Sequence, residues 1–240
     1  MAWKIILSFL FGYFLGAINP AYIIGKLRGM DIRKDGSKNA GASNALLLLG
    51  KFAAIFSAIF DIMKAAVAVW VAPLIFSGVP LVGEVAGVAA IVGHIYPVWM
   101  KFRGGKGTAC LGGLLLAIDW RLLLILLAIE IVVAVVTNYL CMVPITAAVA
   151  IPVIYGVFGD AGLGWLLNAH YGWSGAAVLG AVMLLILFVN LKNINRLVHG
   201  VEMHFNYVWS NAKKKDAEIA RIRANQARWD EQKAQKEQSK

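Results

Sequence analysis

Charge is scarce in this chain, and negative charge scarcest. Of 240 residues only 15% are charged, with 13 Asp and Glu against 23 Lys and Arg. A soluble globular domain is about half apolar, with polar faces interrupting its apolar runs. Here 60% of residues are hydrophobic and the runs are long and pure, which excludes that class. The mean hydropathy of +0.71 agrees. Cysteine is scarce too. Cys110 and Cys141 lie in or beside apolar segments without a metal-type spacing, so they read as small buried residues, and no metal is expected. The first apolar stretch lacks a small-residue cleavage pattern and reaches membrane length, so it reads as a retained span. There is no internal repeat.

What is present is a series of apolar segments separated by short cationic turns. A spanning helix needs about 20 apolar residues, and in a bilayer its backbone must satisfy itself. The expected fold is therefore all-α and polytopic, with about seven transmembrane helices, one of them short. The spans are expected over Ile5–Ile24, Phe52–Phe76, Leu81–Trp99, Thr108–Ile118, Leu122–Val136, Leu140–Phe158 and Trp173–Leu191. Pro144 and Pro152 are expected kinks in the sixth, and Gly159 to Gly172 is an outer loop without Lys or Arg. Lys26, Arg28, Arg33, Lys34 and Lys38 follow the first span, Lys101, Arg103 and Lys106 the third, and Lys192 and Arg196 the last. The positive-inside rule puts these on the cytoplasmic side, with the N-terminus outside and the C-terminus inside. A re-entrant fourth piece would break that parity, so a full crossing is preferred. Residues 1–205 then form a membrane-embedded domain, and residues 206–240 a basic, polar, helical cytoplasmic tail. The net charge of +10 marks inner loops and contact of the tail with anionic lipid; no nucleic-acid partner is expected.

Three inner segments carry candidate chemistry. The first is Gly36-Ser37-Lys38-Asn39-Ala40-Gly41-Ala42-Ser43-Asn44; its small hydroxyl and amide groups serve either as helix caps or as donors to a ligand. The second runs from Gly93-His94 to Gly104-Gly105-Lys106-Gly107, just before a helix start at Thr108. Free N–H groups and partial positive charge at a helix start suit phosphate. It is not a Walker loop, because Gly107 follows the Gly-Lys pair. The third is Asn193-Ile194-Asn195-Arg196-Leu197, ending near Gly200 and Glu202. Within the spans, Asp61 and Lys64 share a helical face and are expected to pair, while Glu130 has no evident partner.

At these residues the chain resembles the bacterial acyl-phosphate–glycerol-3-phosphate acyltransferases, polytopic inner-membrane enzymes. The resemblance rests on Gly36-Ser37-x-Asn39-x-Gly41-Ala42-Ser43-Asn44 with Gly50-Lys51, on Gly93-His94 through Pro97 and Lys101-Phe102-Arg103-Gly104-Gly105-Lys106-Gly107, on Asn193-Ile194-x-Arg196-Leu197-x-x-Gly200-x-Glu202, and on Asp61-x-x-Lys64. It covers roughly residues 5 to 203. It implies transfer of an acyl group from acyl phosphate to the 1-hydroxyl of glycerol 3-phosphate, giving lysophosphatidic acid and phosphate, on the cytoplasmic face of the inner membrane and without a cofactor. On that reading His94, Lys106 and Ser37 are the catalytic candidates. Asn39, Gly41, Asn44, Gly104, Gly105, Gly107, Asn193 and Arg196 would bind substrate or phosphate. The chain departs from the family pattern at Leu47, where an Arg is usual, at Asn190, where a His is usual, and mildly at Ser43. A diverged relative using another polyol phosphate or acyl donor, or a non-catalytic anion-transport or lipid-binding membrane protein, are the alternatives.

Overall fold

The computed structural model describes residues 1–139, 141–160, 172–202, 204–206, 210 and 212–238, with backbone alone at 155–160, 172–175, 178, 212, 215, 236 and 238. These residues fold into ten α-helices: α1 (Ala2–Ala17), α2 (Pro20–Leu27), α3 (Ala42–Leu48), α4 (Lys51–Ile75), α5 (Val82–Ile95), α6 (Thr108–Ile118), α7 (Trp120–Thr137), α8 (Met142–Asp160), α9 (Gly172–Val198) and α10 (Ala212–Gln238). Five stretches are long and apolar enough to cross a bilayer: Ala2–Leu27, Lys51–Ile75, Val82–Met100, Trp120–Thr137 and Leu179–Val198. Thr108–Ile118 and Met142–Ile154 are shorter apolar helices.

Several boundaries differ from the sequence expectation. The first span is broken between α1 and α2. Asn19 caps α2 by accepting from the Tyr22 N–H at 2.8 Å, and Pro20 occupies the first helical position. Proline there lacks only an N–H that would have had no partner anyway. Pro144 does not kink the sixth segment, because it falls in the first turn of α8, where a proline is tolerated; Pro152 does lie inside that helix. The third span reaches Met100 as expected, but its α-helix stops at Ile95, and Pro97 leads into a short 3₁₀ turn over Val98–Met100. The last span runs on to Val198, so Asn193 and Arg196 ride on the final turns of a helix. The loop expected over Gly159 to Gly172 lies, apart from its ends, outside the described residues.

Packing follows the rule that helices in lipid associate through small residues, because apolar tails offer no hydrophobic drive between them. α1 crosses α5 so closely that a Cβ on Gly12 would strike the Ala86 carbonyl oxygen, and one on Gly16 that of Ala90. Ser8, on the same face, donates to Val82 O at 2.7 Å. α4 meets α6 in the same way, with Gly113 against the Ile62 carbonyl. A core of Ala65, Ala72, Ile91, Leu111, Leu114, Leu122, Ile151, Leu179 and Ile186 ties α4 to α9. The outer surface carries large apolar side chains instead, among them Phe14, Phe52, Ile59, Ile131, Val135, Leu184 and Phe188. A second, smaller core of Ala21, Ile32, Ala40, Ala45, Leu49, Ala53 and Met100 sits under the loop that joins α2 to α3.

Candidate functional site

The site grows from a buried ionic knot. Asp61 and Lys64 pair at 2.6 Å, as their spacing on α4 predicts, and both are almost fully buried. Lys64 Nζ also donates to Ile18 O at 2.6 Å and meets His94 Nδ1 at 3.0 Å. The broken first span thus supplies a free carbonyl to Lys64, and His94 Nδ1 lies 3.3 Å from Asp61 Oδ1 as well. Asp61, His94 and Cys110 lie close enough together to share a cation, but the Lys64 ammonium already sits against the first two, at 2.6 and 3.0 Å. His94 is only 3% exposed. Its imidazole packs so tightly on Gly105 that a Cβ there would collide with Nε2. A catalytic role expected for His94 therefore meets a side chain closed inside the protein, where it fixes the glycine loop.

That loop is anchored by its own backbone. Gly104 N–H donates to Ile95 O at 2.9 Å and Gly105 N–H to His94 O at 3.0 Å. These two amides, expected to bind phosphate, are spent on capping α5. Lys101 and Phe102 both take the left-handed conformation, at φ of 55° and 57°, costing about 1–2 kcal/mol each. Gly107, at φ of 84°, is the N-cap of α6. The first-turn N–H groups of α6 have no intrahelical acceptor, and they leave this end of the loop partially positive.

Lys106 reaches across to α9, where its Nζ donates to Asn193 Oδ1 at 2.8 Å. Asn193 Nδ2 donates to Asn190 Oδ1 at 2.7 Å, and Asn190 Nδ2 to Ile186 O at 2.8 Å. Asn190 thus holds the Asn193 carbonyl toward Lys106. Three residues on from Asn193, Arg196 pairs with Glu202 at 2.9 Å and donates to Val201 O at 3.3 Å. Burial holds the Lys106 ammonium below its ordinary pKa; the Glu202 carboxylate opposes that shift and Arg196 adds to it.

The first motif forms the neighbouring wall. Asn44 is fully buried. Its Oδ1 accepts from Ser37 N–H at 2.9 Å, and the two protons of its Nδ2 are shared among Ile32 O, Asn39 O and Asp35 O at 2.6, 2.9 and 3.2 Å. It is a clip that shapes the loop, its side chain buried among backbone groups of the loop itself. The Ser37 hydroxyl and the Asn39 amide, both partly buried, have no side-chain hydrogen bond among the described residues. Gly41 is the N-cap of α3. Ala40 N–H donates to Gly104 O at 3.4 Å, joining the two glycine loops. Arg33, paired with Asp31 at 2.8 Å, braces the same junction through Met100 O at 2.6 Å. Sequence reasoning read Arg33 only as an inner-face charge. Leu47 lies partly buried on α3 and supplies no cation.

The structure therefore gathers Lys106, Asn193 and Arg196 around the start of α6, with the first loop alongside. His94 and Asn44 lie behind them as supports. An apolar helical bundle with cations and a helix N-terminus at one end defines an integral membrane protein suited to holding an anion. Residues 6–200 match the family described as Glycerol-3-phosphate acyltransferase, and the chain belongs to that family. The Glycerol-3-phosphate acyltransferase 1 of Oceanobacillus iheyensis is 33% identical over 202 residues, covering 80% of this chain and 91% of that one. The Glycerol-3-phosphate acyltransferase of Brucella anthropi is 36% identical over 199 residues, covering 81% and 90%. Among solved structures, PlsY (YgiH), an integral membrane glycerol 3-phosphate acyltransferase, superposes in its glycerol 3-phosphate form with a TM-score of 0.72 at 29% identity, over 84% of this chain and 95% of that one. Its lysophosphatidic acid form gives 0.67 at 30% identity.

Proposed function

We propose that this chain transfers a fatty acyl group from acyl phosphate to the 1-hydroxyl of glycerol 3-phosphate, releasing lysophosphatidic acid and inorganic phosphate. The observation that carries the reading is the Lys106–Asn193 bond of 2.8 Å, which fixes a partly buried cation beside the α6 N-terminus in a chain that matches the family over residues 6–200. Acyl phosphate is an activated donor with a good leaving group. The protein's task is then to place two anions together and stabilise developing charge. Lys106, Arg196 and the first-turn amides of α6 are suited to the phosphate oxygens, and Ser37 and Asn39 to the polyol. The hydroxyl oxygen attacks the acyl carbon, the carbon–oxygen bond to phosphate breaks, and the hydroxyl proton leaves on the phosphate. That balance needs no side-chain base, which fits the enclosure of His94.

On this reading the site lies on the cytoplasmic side of a bacterial membrane, with seven crossings and the N-terminus outside. The Lys106–Asn193 bond supports this count, because it returns the end of α9 to the end of the bundle where α6 starts. Residues 1–205 would be the membrane domain and residues 206–240 a cytoplasmic extension touching anionic lipid. Leu47 supports a second reading within the same chemistry, a polyol phosphate other than glycerol 3-phosphate, because the position lacks a guanidinium clamp.

Phosphate release by the purified protein from palmitoyl phosphate, with glycerol 3-phosphate as acceptor, tests the proposal. Release should depend on the acceptor, and Lys106→Ala should lower kcat/KM by about 100-fold or more, the loss expected for a charge-stabilising donor. No release by folded wild-type protein refutes this substrate pair. Faster release with another polyol phosphate selects the second reading.

A further inference from the structure

α10 lies beyond the family match, which ends at residue 200, yet it is fastened to the segment where that match ends. α9 ends at Val198, and the chain turns away at Gly200, whose φ is 65°. Gly200 N–H donates to Leu197 O at 3.0 Å and Val201 N–H to Arg196 O at 2.9 Å, the two bonds of a Schellman cap. The cap turns the Gly200 carbonyl outward. Arg221 of α10 takes that carbonyl with Nη1 at 2.6 Å and the Glu202 carbonyl with Nη2 at 2.7 Å. Its Nε and Nη2 are held by Glu218 at 2.9 and 2.7 Å. The Glu218 carboxylate thus aims the guanidinium, and the guanidinium grips two backbone carbonyls of one turn. Asn225 adds a bond to Gly200 O at 2.8 Å, and Trp229 stacks on His199 with ring centroids 4.4 Å apart.

The turn that α10 grips is the one that orients Arg196. Glu202 pairs with Arg196 at 2.9 Å and Val201 O accepts from it at 3.3 Å. A lone surface ion pair contributes little, but a bidentate guanidinium that also caps two carbonyls has a fixed geometry that lysine cannot copy.

We propose that Arg221 is a positioning residue for acyl transfer: by clamping the carbonyls of Gly200 and Glu202 it sets Arg196 beside Lys106, so α10 is a working part of the site. This rests on the reading of Lys106 and Arg196 as the anion site.

The test uses the full chain in detergent with palmitoyl phosphate and glycerol 3-phosphate. Arg221→Ala should raise KM for glycerol 3-phosphate about tenfold, the loss expected for a charged hydrogen bond, with kcat changed far less. Arg221→Lys should recover only part of it, while Arg223→Ala, an exposed position on the same helix, should change neither constant. Asn225→Ala removes one bond without unpairing a charge; its smaller rise in KM covers the case in which Arg221→Ala fails to fold. Hydrogen exchange over Gly200 to Glu202 should quicken in Arg221→Ala while α4 and α5 keep their protection. An unchanged KM in both variants overturns the proposal, even if exchange quickens. If wild-type protein does not turn over this pair, the substrate assignment fails; unchanged exchange in Arg221→Ala then overturns the clamp independently.

Discussion

The lysine of the glycine loop is only as useful as the chain of amides that holds it. Each amide in that chain has one orientation open to it: Ile186 O accepts from Asn190, Asn190 Oδ1 from Asn193, and Asn193 Oδ1 from Lys106. Asn190 is fully buried and Asn193 4% exposed, so water does not replace a lost partner. Asn190→Ala should leave the Asn193 Nδ2 unsatisfied, at a cost of about 1–3 kcal/mol, and let the Asn193 carbonyl swing off Lys106. The expected outcome is a lower unfolding temperature and a kcat/KM for glycerol 3-phosphate reduced about tenfold. Asn190→Asp keeps the acceptor that Asn193 needs and should keep more activity than the alanine variant; equal losses would show that the orientation of Asn193 does not matter. In the sequence Asn190 is visible only as a departure from the family pattern. Its task was not legible there, because it depends on a contact between residues 87 apart along the chain. The pairing of Asp61 with Lys64 was legible, since three residues along one helix fix their distance. For Asn44 the sequence leaves two roles open, since asparagine suits a ligand or its own loop equally, and the bonds from its amide to the loop backbone appear only in the fold.

Helix boundaries were readable wherever the sequence carries its own punctuation. Asp119 separates α6 from α7 as an N-cap, accepting from Arg121 N–H at 2.9 Å. Asn19-Pro20 is the same kind of signal, an N-cap followed by proline at the first position, and it marks the break that an unbroken first span hides. The docking of α10 has no such mark, because Arg221 and Asn225 are ordinary polar residues of an exposed-looking helix until Gly200 meets them. That docking has a pH signature. Glu218 is flanked by Arg221 on its own helix, by the backbone and imidazole of His204, and through His204 by the Tyr139 hydroxyl. Partial burial raises its pKa, but the hydrogen bonds from Arg221 and His204 outweigh that and hold it at about 2, against an ordinary 4.5. A carboxylate held low in the folded state stabilises that state above its ordinary pKa and loses the contribution as pH falls toward the lowered one. Protection of the α10 amides from hydrogen exchange should therefore fall between about pH 4.5 and 2, and Glu218→Gln should show the weakened protection already at neutral pH. Protection that stays flat through this window in the wild type would show that Glu218 does not fasten the helix.

At the scale of the whole molecule, charge and contact together give the bundle two unlike ends. α4 runs 25 residues from Lys51 to Ile75, about 37 Å at 1.5 Å per residue, enough to pass a hydrocarbon core of about 30 Å. Its two ends therefore mark the two faces. Lys4 donates to Ser77 O at 2.8 Å, which places the N-terminus with the far end of α4. At the near end the first loop meets the glycine loop through Ala40 and Gly104, and α9 arrives there through Asn193. The near end gathers Arg28, Arg33, Lys38, Lys51, Lys101, Arg103, Lys106 and Arg196, while the other holds Lys4 and, on the seven-crossing reading, Arg121 paired with Asp119. Such asymmetry sets orientation across a membrane. Single cysteines make this measurable, because the native Cys110 and Cys141 are buried and give little background. Ser77→Cys, at an exposed turn, should label with an impermeant maleimide added to intact cells. Lys101→Cys and Arg223→Cys, exposed at the site end and on α10, should label only after the cells are opened. Labelling of Lys101→Cys from outside would invert the whole arrangement and carry the substrate site with it. Labelling of Arg223→Cys from outside while Lys101→Cys stays protected would break only the link between α10 and the site. The two cysteines thus separate the orientation of the bundle from the docking of its last helix.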